Sequence, residues 1–167
     1  VSGASDQCGL VSALIAGDLQ VTAQLTSLRP SGSAVQAGLM VRESLSAGAR
    51  QVFLSLAPAG SNRAGFCFRT NQSAIATVSN AAAPSGPLWL RLVRLGSAFT
   101  GYYSTNGTTW VACGPAIIPM NTAVQAGLAM VSGSSSSPGL ASFEKVLIEP
   151  LSAPFGEWQQ WVFANRG

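Results

Sequence analysis

Apolar and polar residues alternate along most of this chain with a period of two. Leu19, Val21, Ala23 and Leu25 are interleaved with Gln20, Thr22, Gln24 and Thr26. That pattern makes a strand with one apolar and one polar face. The same reading predicts strands at 35–43, 51–57, 65–70, 75–78, 88–95, 99–104, 110–113, 123–131 and 141–148. Leu88 to Leu95 is the strongest, with Leu88, Leu90 and Leu92 on one side and Trp89, Arg91 and Val93 on the other. Turns separate these runs: Arg29-Pro30-Ser31-Gly32, Gly96-Ser97, and Asn106-Gly107, a hairpin dipeptide because both residues tolerate positive φ. Strands broken by turns about every 8–12 residues argue for an all-β antiparallel two-sheet jelly-roll sandwich. No helical period occurs before residue 150.

The tail reads differently. Phe155, Trp158 and Val162 fall at helical spacing, Trp161 flanks them, and Pro154 suits a first turn. The pattern predicts a short C-terminal amphipathic helix over 154–165. Its tryptophans form an apolar patch that either caps the sandwich or contacts a neighbouring domain or subunit, so Phe155, Trp158 and Trp161 are candidate interface residues. The division is a sandwich over 1–149 and a linker with helix over 150–167.

One hexapeptide occurs twice, Ala34-Val-Gln-Ala-Gly-Leu39 and Ala123-Val-Gln-Ala-Gly-Leu128. The likeness does not spread outward, so it marks two strands in equivalent sheet environments rather than a repeat architecture. Gly38 and Gly127 would let a backbone or a ligand come close.

Composition narrows the chemistry. The 167 residues suit one domain, and 47% of them are apolar, enough for a real core. No apolar run approaches the roughly 20 residues of a membrane-spanning helix. There is no histidine, which removes Ser-His-Asp and Cys-His catalysis and histidine-bearing zinc sites. Charged residues are 9% of the chain and the net charge is +3. The cations are scattered and nearly all arginine, with Lys145 the one lysine, so no basic stripe points to nucleic acid. Cys8, Cys67 and Cys113 lack metal-binding spacing, leaving either one disulfide with a free thiol or three buried thiols. Low lysine, abundant Ser, Thr and Gly, and a start at Val1 suggest a piece of a larger secreted or cell-surface protein. Asn71-Gln-Ser73 and Asn106-Gly-Thr108 are glycosylation sequons where the source uses them.

Several segments then carry a resemblance. They are Ala37-Gly-Leu-Met-Val-Arg-Glu-Ser-Leu45, Leu88-Trp-Leu-Arg-Leu-Val-Arg94, Phe99-Thr-Gly-Tyr-Tyr-Ser-Thr-Asn-Gly-Thr-Thr-Trp110 and Val124-Gln-Ala-Gly-Leu128. With Gly3-Ala-Ser-Asp-Gln7 and Gly17-Asp18 upstream, the chain resembles the concanavalin A-like (laminin G-like) sandwich modules of bacterial secreted and carbohydrate-active proteins. That likeness implies the sandwich fold and, more weakly, a lectin, glucanase or adhesion role. The strand usual before Gly3 is absent or cut off, and the tail after Pro150 lies outside the module. Ser104-Thr-Asn-Gly-Thr-Thr-Trp110 also resembles the Asp-box hairpin of sialidases, one residue short and with Asn for Asp.

A glycosidase needs two carboxyl groups about 5–10 Å apart. The available acids are Asp6, Asp18, Glu43, Glu144, Glu149 and Glu157, and none keeps the close same-strand spacing of concanavalin-type glucanases. A non-catalytic reading follows, with no cofactor, although a structural calcium ion on backbone carbonyls with Asp6 or Asp18 is compatible with such sandwiches. Strand alternation sets Arg42 opposite Leu39 and Val41, and sets Trp89 and Arg91 opposite Leu90 and Leu92. Either Tyr102 or Tyr103 must face outward. An aromatic plate covers the C–H face of a sugar, while Arg or Gln donates to hydroxyls. The candidate ligand residues are therefore Arg42, Trp89, Arg91, Tyr102 and Gln125. The structural alternative puts Trp89 in the core and pairs Arg42 with Glu43 or Glu144. Two functions are expected: a glycan-binding module, or a structural or adhesive subunit joined through the tail.

Overall fold

The computed structural model describes residues 3–29, 35–57, 63–84, 86–131 and 139–151. They form eleven strands: β1 (Gly9–Ala16), β2 (Leu19–Arg29), β3 (Gln36–Arg42), β4 (Gln51–Leu56), β5 (Arg63–Arg69), β6 (Thr77–Ala82), β7 (Leu88–Leu95), β8 (Ala98–Ser104), β9 (Val111–Ile117), β10 (Ala123–Val131) and β11 (Leu140–Pro150). All pairing is antiparallel. One sheet has six strands in the order β1-β10-β3-β4-β5-β6, and the other has five in the order β11-β2-β7-β8-β9. No helix occurs among the described residues, and the predicted helix, with Phe155, Trp158, Trp161 and Val162, lies outside them.

The alternation read from sequence becomes the inner faces. Leu19, Val21, Ala23 and Leu25 of β2 and Leu88, Leu90 and Leu92 of β7 meet Leu39, Val41, Val52, Leu54 and Phe66 of the other sheet, all buried. Burying each such side chain contributes roughly 1.5–3 kcal/mol. The sandwich is not uniformly closed. Phe66 fits where β8 and β9 have no side chains, since a Cβ at Gly101 would lie 2.8 Å and one at Gly114 2.7 Å from its ring. Gly101 and Gly114 are direct cross-strand partners, next to a register shift.

The duplicated hexapeptides fall on adjacent strands. Leu39 pairs with Leu128, and a glycine stands beside each. A Cβ at Gly38 would lie 1.9 Å from the Leu54 carbonyl oxygen of β4, and one at Gly127 would lie 2.0 Å from the Val11 carbonyl oxygen of β1. The close approach that glycine permits is thus to the next backbone on either flank.

Three strands depart from the sequence reading, and of these β9 runs on past 113 to Ile117. β1 had no counterpart, because as an edge strand it is largely exposed on both faces and shows no alternation. β6 lies later than 75–78 and takes in Asn80–Ala82. Ile75 is 80% exposed, so its apolar character does not place it in the sheet. Ala and Asn have weak strand propensity, and pairing with β5 supplies what propensity does not.

Candidate functional site

The five candidate ligand residues divide between the two outer faces. Arg42 and Gln125 are cross-strand partners on the six-stranded sheet. Trp89, Arg91 and Tyr102 lie on the five-stranded sheet, where Arg91 pairs with both Thr22 and Tyr102.

On the six-stranded sheet the polar groups are occupied. The segment before β1 brings in Asp6, whose side chain is 1% exposed. Arg69 donates to it from two nitrogens, at 2.9 and 2.7 Å. Gln51 donates at 3.2 Å and Arg42 at 3.5 Å. Arg69 also donates to the carbonyls of Gly3, Ala49 and Ala74. Arg42 donates to the carbonyls of Ser44 and Ser46. The Arg42 partner is therefore Asp6, not Glu43 or Glu144. Glu43 instead accepts from Arg50 at 3.0 Å and from the Asn121 amide. Beside this knot, Met40, Phe53 and Cys67 form a second buried cluster with Ala76 and Ala129, bordered by Cys8, Leu10 and Val131. Gln125 is partly buried and accepts from the Ser12 hydroxyl at 2.9 Å.

The outer face of the five-stranded sheet is built differently. Trp89, Arg91 and Tyr102 are all half-buried, as is Trp110, which the sequence reading did not select. The hairpin at residues 104–110 sets Trp110. Asn106 Oδ1 accepts from the Ser104 hydroxyl at 3.0 Å and from the amides of Thr108 and Thr109 at 2.9 and 2.8 Å. This side chain substitutes for backbone partners within the turn. Gly107 takes φ +75, and a Cβ there would lie 3.0 Å from the Trp89 ring, so the turn packs against that indole. The Arg91 guanidinium stacks on Trp110, 3.8 Å from the ring centroid.

A second cation joins from the edge. The register between β11 and β2 shifts between Glu144 and Leu147, and Lys145 takes φ +50 there. Its ammonium lies 5.2 Å from the Trp89 centroid. The period-two pattern does not mark such an irregularity, so Lys145 carried no site signal in the sequence. Trp110 had one, the hairpin motif ending at it.

The polar groups on this face are incompletely satisfied. Arg91 Nε and Thr22 Oγ1 are buried with no hydrogen-bond partner among the described residues. Arg91 and Lys145 make no ion pair there either, unlike Arg42, Arg50 and Arg69. Each is held by a tryptophan face, an attraction of about 0.5–2 kcal/mol.

Cys8, Cys67 and Cys113 form no disulfide with one another. Burial raises the pKa of each, and Cys113 is pushed up to about 12, which keeps these thiols protonated and unreactive at neutral pH. No group of three or more Cys, Asp or Glu comes together among the described residues. Asp6 is surrounded by arginine donors, and Asp18 accepts from the Gly96 amide at 2.6 Å. No helix among those residues is long and apolar enough to cross a membrane.

No known protein family matches this chain, and no curated protein does. Solved structures do share its fold. A functionally unknown protein from Saccharomyces cerevisiae is similar over 90% of this chain and 77% of its own, at 16% identity and a TM-score of 0.64. A mutant GH43 protein from Bacillus licheniformis is similar over 75% of this chain but only 26% of its own, at 19% identity and a TM-score of 0.63. The carbohydrate binding module CBM66 from Bacillus subtilis is similar over 83% of this chain and 78% of its own, at 18% identity and a TM-score of 0.57. At these identities the likeness is one of β-sandwich fold.

Proposed function

We propose that this chain is a non-catalytic carbohydrate-binding module of a secreted or cell-surface protein, with a concanavalin A-like sandwich as its frame. The observation that carries this reading is the outer face of the five-stranded sheet. Trp89, Trp110 and Tyr102 gather there around an Arg91 guanidinium that donates to no protein group among the described residues. Aromatic rings cover sugar C–H faces and arginine donors reach sugar oxygens. The fold shared with CBM66 supports the reading at the level of architecture. The acids support its non-catalytic part. Asp6, Asp18, Glu43 and Glu149 are all engaged in hydrogen bonds to the protein. A glycosidase requires two carboxyl groups facing one sugar.

The test is affinity electrophoresis of the folded chain through gels containing soluble polysaccharides. Retardation by one glycan class is expected, and Trp110→Ala and Tyr102→Ala should each abolish it while the circular dichroism spectrum stays unchanged. Gln125→Ala, on the opposite sheet, should leave it intact. A folded chain that no polysaccharide retards rejects the proposal. Loss with Gln125→Ala alone moves the site to the six-stranded sheet.

A second reading, a subunit of a surface assembly, is favoured by β1. Its outer edge is unpaired among the described residues, none of its residues is charged, and Val11 and Leu14 are 75% and 66% exposed. The edges of the five-stranded sheet carry Pro115 on β9, and Glu144, Lys145 and an irregular register on β11, devices that discourage pairing. A second copy adding its own β1 would extend the sheet. Leu14→Lys should then turn a dimer into a monomer in size-exclusion chromatography with light scattering. A wild-type chain that is monomeric at every concentration removes this reading.

A further inference from the structure

We infer that the sugar polymer taken by the outer face of the five-stranded sheet is anionic, bearing carboxylate or sulfate groups. The inference rests on the carbohydrate-binding reading above and narrows its ligand. Arg42 and Arg69 are spent on Asp6, and Arg50 on Glu43. Arg94 donates to the carbonyls of Gly96, Met120, Asn121 and Thr122. Arg91 and Lys145 differ. Each is anchored by an indole and neither is paired with a carboxylate among the described residues.

The stacking decides between neutral and charged ligands. A guanidinium 3.8 Å from the Trp110 centroid already covers one face of that ring. A neutral sugar stacking on that face must displace it. An anionic group instead meets guanidinium N–H donors, which form bidentate, charge-assisted bonds to planar carboxylates and to sulfate oxygens. An ammonium 5.2 Å from the neighbouring Trp89 centroid supplies a second positive point. The opposing charges on this face are Glu144, exposed beside Gln24, and Glu149, which accepts from Gln20 at 3.0 Å.

Affinity electrophoresis tests this with three polymers: a polyuronate, the same polyuronate fully methyl-esterified, and a sulfated neutral polymer. The polyuronate or the sulfated polymer should retard the chain at least tenfold more strongly than the ester, about the effect of one charge-assisted contact, and retardation should fall as salt is raised. The stronger of the two identifies the anion. Lys145→Gln and Arg91→Gln should each weaken binding about tenfold, and Glu144→Gln should strengthen it. Lys145 is exposed, so its variant tests the site even where Arg91→Gln disturbs the sheet. Arg63→Gln removes an exposed cation on the six-stranded sheet and should change little, whereas equal loss in that variant means attraction to net charge and overturns the inference. Retardation by the ester as strong as that by both anionic polymers overturns it too, but leaves the carbohydrate reading standing. Failure of all three polymers together with every neutral polysaccharide overturns both.

Discussion

Asp6→Asn is expected to lower stability by about 3–5 kcal/mol, the cost of breaking a buried ion pair by removing one partner. The melting temperature should fall by on the order of 10 °C, because each kcal/mol is worth about 2–4 °C in a domain of this size. The Arg69 side chain is fully buried and Arg42 is 4% exposed, so neither guanidinium can turn to water when the carboxylate is lost. Asparagine keeps the shape and one carbonyl acceptor but removes the negative charge between two cations. Asp6 also ties down the chain ahead of β1, with its own amide donating to the Ala47 carbonyl. The variant should therefore expose residues 3–8 to limited proteolysis before the sandwich unfolds. Arg50→Gln is the comparison: that side chain is 30% exposed, but it pairs with a Glu43 carboxylate that is 5% exposed and donates to the Thr70 carbonyl, so its loss should cost about 1.5–3 kcal/mol, less than Asp6→Asn. An Asp6→Asn protein that melts within about 2 °C of wild type would show that the knot adds nothing to stability.

Phe66→Ala should cost about 3–5 kcal/mol in urea denaturation, since the ring is fully buried at the junction of the two sheets. The ring occupies space that Gly101 and Gly114 leave empty, so the reverse change is also costly. Gly101→Ala places a methyl group 2.8 Å from Phe66 Cδ2 and should cost about 1–3 kcal/mol. Because the closest overlap is with Phe66, with Leu54 Cδ1 next at 3.1 Å, Phe66→Leu should relieve part of it. The double variant Gly101→Ala/Phe66→Leu should be at least about 1 kcal/mol more stable than the sum of the single effects requires. Additivity within about 0.5 kcal/mol would mean that the clash is absorbed elsewhere.

The sequence was most legible where a strand has one dry and one wet face. The leucines of β7 and the apolar positions of β2 are buried as their spacing requires. It was least legible at the edges of the sheets. β1 is exposed on both sides, β6 consists of Thr, Val, Ser, Asn and Ala, and the β11 register shifts. Edge strands are selected by a neighbour's unpaired backbone groups, and their side chains need carry no period. The candidate ligand residues show the same limit. Alternation assigns Arg42 and Arg91 to outer faces alike, but it says nothing about which sheet each strand joins. One arginine is buried against Asp6, a residue far away in sequence, and the other lies on an indole.

The sequence by itself determined the all-β class of fold and the core faces of the central strands, because each follows from local period, and it marked a hairpin where Gly107, though not Asn106, takes positive φ. Tertiary structure alone decided which cations are neutralised and which remain available. Asp6 is 36 residues from Arg42 and 63 from Arg69 in sequence. The shift in β11 sets Lys145 over Trp89, and the hairpin sets Trp110 against Arg91. These contacts join residues on different strands, and strand pairing is fixed by the burial of the whole sandwich rather than by any one segment.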